Sequence, residues 1–498
     1  MKNKQLTLVV VSLLVVVLSV SLAYFTAQII GKGKDVSVTS TNLQIVFTDT
    51  DGEIAGADIE PGWQKTKTFT VQNNSKSEYK YNIVIKNLVN TFVTNGYLQY
   101  KITSTNNGYN MTEFKDIPKS SVATDTILAY SVVIPNGVTQ SYTIEFKYVN
   151  DESVDQSDDM GRKLSGTLFI TEGTEDPNKT LLTQLLVDKS TKLTRTDFSK
   201  VLTDNNTNTL YTSTEDSKTV YYFAGNATDN WVKFGKNASN QDLYWRIIRT
   251  NSEGSVRLLY HGTSTTATDA YIGTSAFNSS NNNIAYISYM YGSLGSIPNA
   301  RTNQTNSSAI KTTIDDWYTS NLEAKGYTKY LSTTAVYCND RTYTVSGSFT
   351  YFGARTRLDT NKRPSYDCAI TEDKFTVDST LGNGKLTYPI ALMTADEVSF
   401  AGGVWNTNAP TWYYKNSANG SSTGSTWWWL LSPNRWSDGS ASVFYVIGSS
   451  HPGYLNYAYV SDAGGVRPAL SLKSCVKYSS GDGSASAPYT IKETTSGC

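Results

Sequence analysis

The sequence predicts a mainly β protein in two parts, an antiparallel β-sandwich followed by an α+β domain rich in loops, behind an apolar N-terminal helix. Three observations carry this expectation. Period-two alternation of apolar and polar residues recurs in short runs between Val36 and Thr171. Beyond them only three stretches have helical spacing. The composition, with 34 Tyr, 35 Gly and 10 Trp in 498 residues, favours strands and turns over helices.

Lys2 and Lys4 precede the apolar run Leu6–Ala23, the pattern of a secretory signal. Ser19–Ala23 and Thr26-Ala27 offer small residues for cleavage. Uncleaved, the run is long enough to hold the chain in a membrane, which takes about 20 apolar residues. Residues 1–30 are therefore expected to act as signal peptide or membrane anchor. In 35–172, strands are expected at Val36–Phe47, Thr66–Asn73, Tyr79–Lys86, Tyr97–Thr103, Thr126–Val133, Tyr142–Tyr148 and Leu164–Thr171. About seven strands separated by turns such as Pro135-Asn136-Gly137 suit a sandwich with one face of each strand inward.

An acidic linker (173–179) leads to Leu181, Leu182, Leu185 and Leu186 at helical spacing, and to a second domain over 180–475. Its hairpin strands are expected at Trp231–Gly235, Tyr244–Arg249 and Ser255–Tyr260. Helices are expected over Ser308–Leu322, with Ile310, Ile314 and Trp317 on one face, and over Thr394–Ala401, where Thr394 and Glu397 form a capping box. The adjacent Asp315 and Asp316 are expected to be solvated. Residues 476–498 form a short tail.

Cys338, Cys368, Cys475 and Cys498 make an even set in an exported chain, so disulfides are expected, the local pairs Cys338–Cys368 and Cys475–Cys498 being favoured among three connectivities. Their spacing contains no CxxC, and no metal or cofactor is expected. The turn Asp49-Thr50-Asp51-Gly52 lacks the remaining ligands of a calcium loop. The chain contains no HExxH, GxSxG, P-loop or dinucleotide fingerprint. His261 and His451, the only two histidines, are expected to be surface or packing residues. Lys+Arg and Asp+Glu number 43 each, so no global field draws the chain to nucleic acid.

The segment Trp427–Leu472 stands out. Trp427, Trp428, Trp429 and Pro433 before, and Arg467 and Pro468 after, read as a rigid frame. Arg467 is expected to pair with a buried carboxylate or carbonyl. Between them Arg435, Trp436, Asp438, Phe444, Tyr445, His451, Tyr454, Asn456, Tyr457 and Tyr459 form a candidate ligand surface. Tyr offers amphipathic contact at little entropic cost, and Ser, Gly and Asn adapt their hydrogen bonds. Strand alternation would turn about half of these groups outward, toward a protein or glycan on another surface. Solvated hairpins without a ligand are the alternative.

Two resemblances sharpen this reading. The leader running into Ala23-Tyr24-Phe25-Thr26, with Ile59-Glu60-Pro61-Gly62 and Lys67–Asn73, resembles the camelysin/TasA group of bacterial surface and matrix proteins over residues 1–172. That likeness implies export through a dedicated signal peptidase and an Ig-like or jelly-roll sandwich. The metalloprotease activity described for camelysin is not carried over, because the region has no histidine. From Lys179 to Cys475 the chain resembles bacterial surface domains with a W-L-R-S-P … G-V-R-P-A-L pattern, with Leu431 where that pattern has Arg. It is similar, more distantly, to the C-type-lectin-like fold of formylglycine-generating enzymes and diversified ligand-display proteins. The cysteines do not match the active-site arrangement of those enzymes. The expected function is an exported cell-surface binding protein, adhesin-like, secreted or anchored by its N-terminal segment. A structural matrix or fibre component is the first alternative, and an extracellular, carbohydrate-active enzyme the second.

Overall fold

The structure, a computed structural model, describes residues 36–40, 43–49, 59–111, 113–268, 270–416, 421–422, 426–448 and 450–498. The expected N-terminal apolar helix, with its signal or anchor role, and the turn at 50–52 lie outside the described residues. No helix among the described residues is long and apolar enough to cross a membrane. The chain is mainly β and divides into two compact units, Met1–Pro177 and Asn178–Cys498.

The first unit contains β1 (Val36–Ser40), β2 (Leu43–Asp49), β3 (Gln64–Asn73), β4 (Tyr79–Asn90), β5 (Leu98–Ser104), β6 (Lys115–Asp116), β7 (Ser120–Ile134), β8 (Thr139–Tyr148) and β9 (Leu164–Glu172). The run expected as one strand at Val36–Phe47 is a pair of antiparallel strands, and β6 has no counterpart in the sequence pattern. One sheet runs β1-β2-β3-β8-β5-β6 and the other β7-β4-β9. Alternation sends Phe69 and Val71 of β3, Tyr142, Ile144 and Phe146 of β8, Tyr81, Ile83 and Ile85 of β4 and Leu168 of β9 into a shared core. The hydroxyls of Tyr81 and Tyr142 meet there at 2.5 Å, and Tyr81 also donates to Gln140 Oε1 at 2.6 Å. These polar tips are therefore satisfied inside an apolar layer.

The second unit opens with the helix Leu181–Asp188, capped by Thr180 through a capping box, with Leu181 and Leu185 buried. The expected hairpin strands are Trp231–Lys236, Asp242–Thr250 and Val256–Tyr260, paired antiparallel in a ten-stranded sheet. Pro468–Leu472 pairs with Val256–Tyr260, placing the Arg467-Pro468 end of the frame in the middle of this sheet. The C-terminal segment is more than a tail. Tyr489–Ile491 runs parallel to Trp231–Lys236 and Tyr478–Ser480 pairs with it in turn, so the chain end extends the sheet. Ala309–Tyr318 forms a helix on Ser308 with Ile310 and Ile314 buried, and Ala395–Phe400 a helix on the Thr394 and Glu397 capping box. Asp315, expected to be solvated, is held at 2.5 Å by buried Lys311 one turn earlier. Cys338 bonds to Cys368 and Cys475 to Cys498, the two sequence-local pairs.

The core of this unit contains a basic cluster. Arg246 donates to Asn230 Oδ1 and to Ala227 O, and its guanidinium lies 4.0 Å from the Trp231 ring. Arg467 donates to the carbonyls of Tyr260 and Tyr413, and its Nη2 lies 3.1 Å from His261 Nδ1. Carbonyls and the indole of Trp428, not carboxylates, thus hold Arg467, and burial pushes its pKa down to about 9. Because a guanidinium only donates, Nδ1 of His261 must accept, which leaves its proton on Nε2. Burial, then the charges of Arg467 and Arg246, push His261 well below its ordinary 6.5. At pH 7 it is neutral folded and largely neutral unfolded. As pH falls through 6.5 the unfolded chain takes up a proton that the folded chain refuses, so stability falls. We expect this unit to lose up to about 1.4 kcal/mol per pH unit on acidification below pH 6.5. Unfolding titrations at pH 7 and 5.5 should show the loss, and His261→Gln should flatten it. An unchanged slope in that variant would contradict the assignment.

Candidate ligand-binding face

The strand Trp428–Ser437 is built around a proline. Pro433 has no N–H for the ladder, and the pairing with Ser440–Val446 slips on both sides of it. The residues before it turn to other partners. Leu431 N donates to Met393 O at 2.9 Å, Asn339 Nδ2 to Leu431 O at 2.9 Å, and Ala395 N to Ser432 Oγ at 3.0 Å. Trp428, Trp429, Leu430 and Leu431 are fully buried. Trp427 lies against Gly464, where a Cβ would fall 2.3 Å from its ring, so a glycine is required there. The frame residues therefore fix a jog that seats the helix Ala395–Phe400 against the strand.

Beyond the jog, the strand is flanked by Phe349–Phe352 on one side and Ser440–Val446 with Leu455–Tyr459 on the other. On one face of this sheet two pairs of rings stand parallel. Phe349 and Tyr351 stack with centroids 5.8 Å apart at 11°, and Trp405 and Tyr457 with centroids 6.1 Å apart at 4°. Two guanidiniums bridge the pairs. Arg435 lies 4.3 Å from the Tyr457 centroid and 5.9 Å from Phe349. Arg355 lies 4.0 Å from Trp405 and 5.8 Å from Tyr351. Burial lowers the pKa of Arg355, Asp359 and Tyr351 raise it, and the charge of Arg435 lowers it again, as expected of neighbouring cations. Arg355 pairs with Asp359 at 2.8 Å, whereas Arg435 has no ion-pair partner among the described residues. Phe349, Tyr351, Arg355, Arg435 and Tyr457 are all partly exposed, with Trp405 buried behind them.

The sequence-predicted residues do not form one surface. Arg435 and Tyr457 meet on this face, and exposed Tyr459 follows two residues along the same side of its strand. Trp436 and Tyr445 alternate to the opposite side, where Tyr445 packs 4.9 Å from Trp427. His451 and Tyr454 form their own contact at 5.1 Å in the turn before Leu455. Asn456 Nδ2 donates to Asn406 Oδ1 at 3.0 Å, a tie within the fold. Phe444 is fully buried edge-on to Trp405 and cannot meet a ligand, so its expected role is corrected to packing. Asp438 is a turn residue. It and Gly439 have φ of 50° and 75° between the paired Ser437 and Ser440, the two-residue hairpin for which Asp-Gly is favoured. Phe349, Tyr351, Arg355 and Trp405 were missed because they lie outside Trp427–Leu472 in sequence. The Phe349-Thr350-Tyr351-Phe352 strand was their one local signal.

A second recess is polar. It measures about 20 Å³, room for a water molecule or two, and lies beside Cys338 among Glu215, Glu397, Asp340, Asp396, Arg249, Arg257 and Arg357. Arg249 bridges Glu215 at 2.8 Å and Glu397 at 2.9 Å, and Arg257 reaches Glu397 at 3.0 Å. Arg357 spans Asp340 at 2.6 Å and Asp396 at 2.8 Å. Each of these four carboxylates is paired with at least one of the three arginines, an arrangement that fastens elements together. No group of His, Cys, Asp or Glu able to hold a metal occurs among the described residues.

Residues 369–474 match a family described as a domain of unknown function (DUF6273). The match includes Trp405, Arg435 and Tyr457 but stops short of the strand Phe349–Phe352 and Arg355. No curated protein and no solved structure matches the chain.

Proposed function

We propose that this protein is an exported bacterial surface protein, adhesin-like, that binds a protein or glycan on another surface through the arginine–aromatic face of its C-terminal unit. The observation that carries the reading is Arg435. A guanidinium without a carboxylate partner, partly exposed and flanked by rings, is an unfilled donor set of the kind found at recognition hot spots. The two disulfides accord with an oxidising, extracellular setting. In this reading the first unit is an Ig-like or jelly-roll sandwich of the camelysin/TasA kind and acts as a stalk. The second is a C-type-lectin-like display domain. The N-terminal segment delivers the protein and, if uncleaved, tethers it to the membrane. The expected result on an array of glycans and surface proteins is binding by the full chain that drops at least about tenfold in Tyr457→Ala. Binding unaffected by that substitution would move the site elsewhere, and no binding to any class would remove the adhesin reading.

A fibre-forming matrix role has one observation in its favour. β7 is 15 residues long, lies at the edge of its sheet, contains no proline and has Val122 68% exposed. The repeated register shifts between β7 and β4 work against pairing with another chain, since bulges twist an edge away.

A further inference from the structure

The arrangement of the four rings and two arginines specifies the ligand more narrowly than "a surface", and this inference rests on the binding reading above. We infer that the face takes an acidic saccharide, its carboxylate or sulfate group held by Arg355 and Arg435 and its ring laid on Tyr457 and Tyr351. Asp359 is the one carboxylate within ion-pair reach of either arginine among the described residues, so the face carries an excess positive charge. Nε of Arg435 and Nη1 of Arg355 are buried without an acceptor, so an anion on the face meets the other nitrogens of each guanidinium. The whole chain is electrically balanced at 43 Lys+Arg against 43 Asp+Glu. Attraction of an anion is then a local property of this face and not of the protein's net field. A planar guanidinium pairs with carboxylate or sulfate through two parallel hydrogen bonds, and two such groups side by side can clamp one anion.

Shape points the same way as charge. Within each pair the rings are nearly parallel, at 11° and 4°, and each guanidinium lies within 5.9 Å of one ring of each pair. Flat aromatic faces suit the flat apolar side of a pyranose, while the guanidiniums between them reach the charged substituent. An acidic peptide would satisfy the charge but makes no use of two parallel ring pairs. Removing the charge of Arg435 should therefore weaken an acidic saccharide and spare a neutral one.

Titration of the full chain with polygalacturonate, chondroitin sulfate, neutral dextran and polyglutamate separates the cases. The expected result is binding to polygalacturonate, whose only anion is carboxylate, or to chondroitin sulfate, which carries carboxylate and sulfate together; binding to the first shows that carboxylate suffices. That binding should fall about tenfold or more in Arg435→Gln and further in Arg355→Gln/Arg435→Gln. Arg435→Lys, which keeps the charge but not the fork, should recover part of it, and unfolding curves matching the parent would verify that the variants fold. Dextran binding lost in Tyr457→Ala but indifferent to both arginine substitutions would overturn the acidic class and leave the binding face standing. Polyglutamate bound as tightly as polygalacturonate would overturn the saccharide. No binding to any of the four polymers would overturn this inference, and the array above then decides the wider reading.

Discussion

Glu397→Gln is expected to lower the stability of the C-terminal unit by about 3–5 kcal/mol, the range for breaking a buried ion pair and stranding its partner. Glu397 is 1% exposed and accepts from two arginines and from the Thr394 amide. Glutamine preserves the shape but leaves Arg257 without a carboxylate at ion-pair distance and Arg249 with Glu215 alone. Burial by itself would raise the pKa of Glu397, but the attraction of Arg257 and Arg249 wins and holds it below 4.5. Its folded value is depressed, so its contribution is complete above pH 4.5 and is lost as pH falls through the folded value. The parent should therefore lose stability steeply on acidification below pH 4.5, and the variant less so. Urea unfolding followed by tryptophan emission reads the C-terminal unit almost alone, because all of the ten tryptophans except Trp63 lie in it. A loss under about 1 kcal/mol would mean that the guanidiniums are resolvated when the carboxylate goes.

Cys338→Ser/Cys368→Ser comes next, with an expected loss of about 3.5 kcal/mol. The bond closes a loop of 30 residues, and the loop-entropy estimate for that length gives this figure. It also joins the strand Tyr337–Cys338, which leads into Asp340, to the chain beside Tyr366, at the edge of the same ionic recess. The double cysteine variant and Glu397→Gln should therefore be non-additive, since both loosen one network. Equal stability of the parent with and without dithiothreitol would count against a structural role for either disulfide.

Much of the fold was legible because local signals agreed with the tertiary result. Thr394 and Glu397 announced their helix through the capping box, and β3 and β8 showed clean alternation because one face of each is buried. The division of Val36–Phe47 into two strands was invisible, since no glycine or proline stands between Ser40 and Leu43 in the sequence. The C-terminal strand Tyr489–Ile491 was missed because its pairing with Trp231–Lys236 spans most of the unit, and no local pattern reports a partner so distant. At the candidate site, counting aromatics found Tyr457 and Arg435 but gathered Phe444 and Asp438 with them. Alternation put Phe444 under Trp405, and the hairpin claimed Asp438 for its own backbone needs. The rest of the face comes from Phe349, Tyr351, Arg355 and Trp405, which only the sheet pairing brings into place.

Hydrogen–deuterium exchange of the full chain, with and without saturating polygalacturonate or chondroitin sulfate, locates the bound polymer on the fold. Protection should appear in the amides of Phe349–Phe352 and Leu455–Tyr459 and around Arg435, three of the segments that build the arginine–aromatic face. Protection confined to the first unit, or to the hairpin tip at Asp438 with these segments unchanged, would contradict binding at this face.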